Sequence, residues 1–316
     1  MTRAPHVHLL PGKEHRTPDT FHLDDISQHV ALGTTPGNPI SIAKKRDDNE
    51  DAAAWVTFDH MGNLATLADA HFGAESAFIA LDYMHTHFSQ SVPYLLRQMF
   101  RLHLEIDNEI RSLHKQHGRF RMTSATTFIS CYILDDTAYY CSTGDSRILR
   151  LRRGQLEDLT PAKPIFLGDP EPLWRQISIL IENYLPEIQK AYLDNPYHTL
   201  FQLTSQLRGI RLRSKKFSPK HLKNLDPKLE YNLKALVSQF MPYFDTFGID
   251  PGDIIILASD GITPEASALE DTDIEALLRP VPPTAVQTAE ALLKATIGDD
   301  NLTLVVYHAP YPSEAS

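Results

Sequence analysis

Residues Asp253 to Glu265 read DIIILASDGITPE. Four consecutive aliphatic side chains, Ile254 to Leu257, mark a strand buried on both faces rather than the alternation of a half-exposed one. Pro251-Gly252 punctuates its start, and the run passes through Ala258 and Ser259 into Asp260-Gly261, where it stops. A carboxylate at the end of a buried strand, followed by glycine, is held rigidly and faces a cleft. Alone it is an ordinary strand-to-turn aspartate. Three other acidic positions share its setting: Asp51 in NED, Asp69 after LATLA, and Asp300 before LTLVVYH. Carboxylates so far apart in sequence converge only if sheet edges meet at one end. Converging unpaired, they repel and cannot all ionise. Hard divalent cations resolve that conflict, since oxygen ligands suit Mg²⁺ and Mn²⁺. No Cys/His ligand spacing for zinc competes with this reading.

Outward from this stretch the pattern is strands, two helices, strands again, then a long helical segment. Ala53 to Phe58 and Leu64 to Ala68 read as a strand pair. Ala74, Phe78, Leu81, Met84 and Phe88 have helical spacing, and a second helix runs from about Pro93 to Lys115 on Leu95, Met99, Leu102, Ile106, Ile110 and Leu113. Both are expected to pack on a sheet face. Thr126 to Leu134, Thr137 to Ser142 and Arg147 to Arg152 form a meander rich in β-branched and aromatic residues. Trp174 to Tyr192 and Lys228 to Phe240 read as helices, with the basic run Arg208 to Lys223 between them as a solvated face. Tyr243 to Ile249 leads into the key strand. Two helices, about Ser267 to Leu278 and Pro283 to Ala295, precede the last strand, Leu302 to His308.

The totals describe a globular chain of 316 residues, 42% hydrophobic and 22% charged, with no run long enough to span a membrane. The first residues lack the apolar core of a signal peptide. Cys131 and Cys141 are too few for a disulfide framework and fit a reduced, cytoplasmic pair. A formal net charge of −10 argues against general nucleic-acid binding. Residues 1–24, rich in Pro, His and Thr, show no period and are expected to be a loose tail; His6, His8, His15 and His22 match no compact metal site. A single domain over 25–310 is expected, with a helical, basic insert at about 161–242 and a polar tail at 311–316.

Five segments in order resemble the PPM, or type 2C, family of metal-dependent protein serine/threonine phosphatases. RDDNED, Arg46 to Asp51, is similar to its Arg-x-x-x-Glu-Asp; LADAHFGAESA, Leu67 to Ala77, to its Asp-Gly-His-Gly-Gly segment. Met122 to Thr160 carries a Gly-Asp-Ser-Arg turn, PGDIIILASDGI supplies the fourth motif, and GDDNLTLVVY resembles Asp-Asn-hydrophobic-Thr. The resemblance spans about Ile40 to His308. It implies an α+β fold, a four-layer α-β-β-α sandwich of two antiparallel sheets with flanking helices. It implies two Mg²⁺ or Mn²⁺ ions, with a place for a third, weaker one. Asp69 would bridge two metals, Ala70 would offer a backbone carbonyl, and Asp260 and Asp300 would complete a shell. Glu50 and Asp51 would act through metal-bound waters, and Asp145 would hold the third ion. Arg46 would hold the substrate phosphate and His71 would act as general acid. The reaction implied is hydrolysis of phosphoserine and phosphothreonine in a phosphorylated protein by direct attack of metal-activated water, with no nucleic-acid or membrane partner. Ala70 and Phe72 stand where the family has glycine, and the segment after Pro161 departs from it. Those departures fit the alternative, a pseudophosphatase serving as a binding module.

Overall fold

The computed structural model describes residues 5–58, 62–90, 94–116, 124–160 and 242–311. Among these residues twelve strands form two six-stranded sheets, and every pairing within them is antiparallel. The strands are β1 (His6–Pro11), β2 (His22–Ser27), β3 (Val30–Thr35), β4 (Ala52–Phe58) and β5 (Gly62–Ala68), then a short β6 (Ala70–His71) that pairs with β7 (Ala125–Thr126). They continue as β8 (Phe128–Leu134), β9 (Thr137–Thr143), β10 (Arg147–Arg152), β11 (Gln155–Asp158), β12 (Tyr243–Gly248), β13 (Ile254–Ala258) and β14 (Leu302–His308). One sheet runs β1-β4-β5-β8-β9-β12 and the other β11-β10-β13-β14-β3-β2.

Three apolar layers follow from strand alternation. Ile255 and Leu257 of β13 face Ala65 and Leu67 of β5 in the core between the sheets, with Trp55, Ile129 and Val305. Ile254, Ile256 and Ala258 point the other way, toward α5 (Asp271–Leu277) and α6 (Ala285–Ala295), against Ile274, Ala289, Leu292 and Leu293. On the far side of the other sheet, Ala54, Val56, Leu64 and Ala68 meet α2 (Glu75–His87) and α3 (Leu95–Gln116) through Leu81, Met84, Met99, Leu102 and Ile106. The unbroken aliphatic run of β13 is explained by cover on both faces, one by a sheet and one by helices. The expected α-β-β-α sandwich is the observed architecture.

The first residues differ from expectation. Residues 5–24 are not a loose tail: β1 pairs along its length with β4, and β2 begins at His22. The open backbone edge of β4 supplies the hydrogen bonds that no local pattern in HVHLLP announces. β3 and the short helix α1 (Pro39–Lys44) also lie upstream of the predicted elements. Asn38 caps α1 by accepting from the N–H groups of Ile40 and Ser41, and Pro39 occupies its first turn. The expected helix over Ser267 to Leu278 is two pieces, α4 (Pro264–Ser267) and α5, because Ala268 takes left-handed backbone (φ 60°) between them. Tyr243–Gly248 leads toward β13 in sequence but belongs to the opposite sheet, at the edge beside β9. Cys131 and Cys141 are free and lie on opposite faces of their sheet; burial raises both thiols, Cys131 to about 12. The expected helices Trp174 to Tyr192 and Lys228 to Phe240, the basic run and the insert at 161–242 lie outside the described residues, as do residues 312–316. Among the described residues no helix is long and apolar enough to cross a membrane.

Candidate metal centre

The last paired residues of β4 and β5 are Ala52 and Ala68, so Asp51 and Asp69 stand just beyond a ladder end, side by side. In the facing sheet, β13 and β14 end their ladder at Ala258 and Leu304, and the chain continues to Asp260 on one side and begins from Asp300 on the other. The two ladder ends point to the same place. Ser259 links them: its hydroxyl donates to Asp51 Oδ2 at 2.7 Å and accepts from the Thr303 N–H at 2.9 Å. Gly261 is required by close approach, since a Cβ there would lie 2.1 Å from the Asn301 carbonyl oxygen. Asn301 is itself a clamp. Its Nδ2 donates to the carbonyls of Pro36 and Asp48, at 2.9 and 3.1 Å, and its Oδ1 accepts from the Glu50 N–H at 3.3 Å. The loop carrying Arg46 to Asp51 is thereby tied to the start of β14.

Asp51 and Asp69 are fully buried. Burial raises Asp51 to about 7, helped by the charges of Asp260 and Asp300 and opposed by Lys45 and by the Ser259 hydroxyl. Burial, then the charges of Asp260 and Asp51, hold Asp69 well above the usual carboxylate range. Asp260 is raised by burial and by Asp300, and it shares a side-chain hydrogen bond with Asp69 that favours its own ionised form. Asp145, in the turn between β9 and β10, is raised by burial, with the charge of His71 opposing and that of Asp300 adding. Five carboxylates from five chain segments thus act on one another in one pocket.

His71 sits on β6 at the rim, with Nδ1 3.5 Å from Asp69 Oδ1. β6 is positioned by its pairing with β7 and by the Asp69 carbonyl, which accepts from the Thr127 N–H at 2.9 Å and the Thr126 hydroxyl at 3.0 Å. Ala70 is buried in β6 with negative φ, so its Cβ imposes no backbone strain. Phe72 does the opposite. It is exposed in left-handed backbone (φ 65°), a conformation that favours glycine. Gly73 (φ 123°) makes room for Arg46, whose guanidinium donates to the Phe72 carbonyl at 3.2 Å and to Glu75 Oε1 at 2.9 Å.

Glu50 holds the loop that carries Arg46. Its Oε1 accepts from the backbone N–H groups of Arg46 and Asp47, at 3.1 and 3.3 Å, so it shapes the loop. Four contributors escaped the sequence reading: Lys45, Ser259, Asn301 and Glu75. Lys45 Nζ lies 2.7 Å from Asp300 Oδ1. Its only signal in sequence is adjacency to Arg46; Ser259 and Asn301 at least flank predicted carboxylates.

The donor set suits a hard cation. Asp51 Oδ1, Asp69 Oδ2 and Asp145 Oδ1 are buried and receive no N–H or O–H hydrogen bond from the described residues. Buried oxygens left so are the ones an oxygen-seeking divalent ion satisfies. Their present arrangement is not yet a coordination shell: among the described residues no three His, Cys, Asp or Glu side chains are set to hold a metal ion. The ammonium of Lys45 lies against Asp300 instead.

No family model matches this chain, and no curated protein does. Solved structures match across most of its length. The catalytic domain of the serine/threonine phosphatase PstP, in complex with two manganese ions, superposes with a TM-score of 0.54 at 18% identity, covering 92% of this chain and 100% of that one. The S. agalactiae serine/threonine phosphatase gives 0.57 at 17%, covering 91% and 100%. PppA, a regulatory component of the type VI secretion system (T6SS) in Pseudomonas aeruginosa, gives 0.51 at 17%, covering 92% and 97%. The class that these likenesses define is the fold of PPM-type serine/threonine phosphatases, and this chain has that fold.

Proposed function

We propose that this chain is a divalent-metal-dependent phosphatase that hydrolyses phosphoserine and phosphothreonine in proteins. What supports the proposal is the mutual electrostatic influence of Asp51, Asp69, Asp145, Asp260 and Asp300, together with buried oxygens of Asp51, Asp69 and Asp145 that lack donors among the described residues. PstP, which shares the fold, holds two manganese ions. Asp69, Asp260 and Asp300, with Asp51 and the Ala70 carbonyl beside them, would hold Mg²⁺ or Mn²⁺, and Asp145 a further ion. Bound there, the cations would activate water for attack on phosphorus and offset the charge that builds on the phosphoryl group. The chain's own residues do the rest. Arg46 offers a planar fork to two phosphate oxygens once it leaves Glu75. His71 gives a ring proton to the departing seryl or threonyl oxygen, with Asp69 Oδ1 3.5 Å from its Nδ1. Burial of the carboxylates keeps bulk water from screening these charges.

The test is Mn²⁺-dependent hydrolysis of p-nitrophenyl phosphate and of a phosphothreonine peptide. Activity should appear with metal and vanish in Asp69→Asn and Asp260→Asn. A second reading, a pseudophosphatase that binds without turnover, is favoured by one pair of observations: Lys45 occupies the acidic pocket and Glu75 occupies Arg46. Folded protein that neither binds Mn²⁺ nor hydrolyses either substrate would establish that reading instead.

A further inference from the structure

The pocket contains a cation of its own. Lys45 is the residue at which α1 ends, and its backbone there is extended (φ −94°, ψ 153°). Successive side chains of an extended segment point to opposite sides. Arg46 accordingly reaches the exposed mouth and pairs with Glu75, while Lys45 turns inward. Its side chain is only 12% exposed, and Nζ reaches Asp300 Oδ1 at 2.7 Å. Asp69 and Asp51 join Asp300 in attracting the ammonium, and together they outweigh the cost of burying it. The loop that delivers Lys45 is held at both ends: by the Asn38 cap of α1, and by Glu50 and Asn301 beyond Arg46. A long, flexible side chain placed by so fixed a backbone can swing, and its four-carbon stem gives it the reach to do so.

We propose that Lys45 is the resident counter-ion of the metal-free pocket, and that a divalent cation binding at Asp300 must displace its ammonium. The inference rests on reading the site as a metal centre. A single positive charge with three N–H donors satisfies Asp300 and balances part of the acidic cluster, but it cannot bridge several carboxylates as a divalent ion does. The metal-free protein therefore keeps only part of its acidic cluster compensated, and metal affinity is lowered by the cost of expelling Lys45. Occupancy becomes a competition inside the chain, so the protein responds to the concentration of free divalent cation rather than holding it permanently.

The experiment compares the full-length wild type with Lys45→Met, which keeps length without charge, and Lys45→Gln, which keeps a donor to Asp300 without charge. Mn²⁺ binding is followed by the electron paramagnetic resonance of free Mn²⁺, and thermal melting is recorded in EDTA and in Mn²⁺. Both variants should bind Mn²⁺ about tenfold more tightly than wild type. Both should melt lower than wild type in EDTA, and gain more from Mn²⁺. Equal Mn²⁺ affinity in all three proteins overturns the competition while leaving the metal centre standing. Absence of Mn²⁺ binding in all three overturns the metal-centre reading, and this inference with it. If Lys45→Met does not fold, Lys45→Gln alone decides between these outcomes.

Discussion

Replacing Asp51 by Asn should stabilise the metal-free protein at alkaline pH, although Asp51 is wholly buried and hydrogen-bonded. Its carboxyl titrates at about 7 in the folded chain against an ordinary 3.8. The folded state therefore holds a proton that the unfolded chain has already released between those two values. Stability from this group is greatest below the unfolded value, falls as pH rises toward 7, and is flat beyond it. Each pH unit of difference corresponds to about 1.4 kcal/mol, so keeping Asp51 ionised at pH 8 costs the fold at most about 4 kcal/mol. Asparagine has nearly the same shape, carries no charge, and its Oδ1 still accepts from the Ser259 hydroxyl. Asp51→Asn should thus gain roughly 2–4 kcal/mol at pH 8 and little at pH 4. Urea denaturation in EDTA at both pH values measures this directly. With saturating Mn²⁺ the order should reverse, because the variant lacks a charge that the ion needs. A variant less stable than wild type at pH 8 in EDTA, or one with an unchanged pH dependence, would refute the picture of an overcharged pocket.

Three further outcomes are expected. Asn301→Ala removes three hydrogen bonds, two to the Arg46–Asp51 loop and one to the Pro36 carbonyl, and should cost about 2–3 kcal/mol in urea denaturation and weaken Mn²⁺ binding as well. Glu75→Gln releases Arg46 from an exposed pair worth at most about 1 kcal/mol; inhibition by inorganic phosphate should tighten, by no more than about fivefold, and an unchanged inhibition constant would remove Arg46 from the phosphate site. Phe72→Gly relieves left-handed backbone at the mouth, and should raise stability by up to about 1 kcal/mol; a loss instead would mean that the exposed ring has packing of its own.

Sequence alone carried the central strands and their flanking acids. β4, β5, β13 and β14 are legible because each is a short run of apolar or β-branched residues ended by a turn, and those signals are local. α2 and α3 were legible for the same reason, as periodic stripes. The order of the five motifs then linked Asp51, Asp69, Asp260 and Asp300 to one chemistry before any of them was located in space. β1 and β2 were not legible: their residues do not alternate, and they become strands only because β4 and β3 offer free hydrogen-bonding edges. The same limit applies within the site. Whether Glu50 faces the pocket or its own loop depends on which backbone N–H groups the loop presents. Lys45 and Arg46 are adjacent basic residues that the sequence treats alike. Tertiary structure separates them, because the extended backbone at the end of α1 sends one into a field of carboxylates and the other to the surface. Hydrophobic patterning is written residue by residue, whereas the direction of a charged side chain is set by the summed field of groups that only folding brings together.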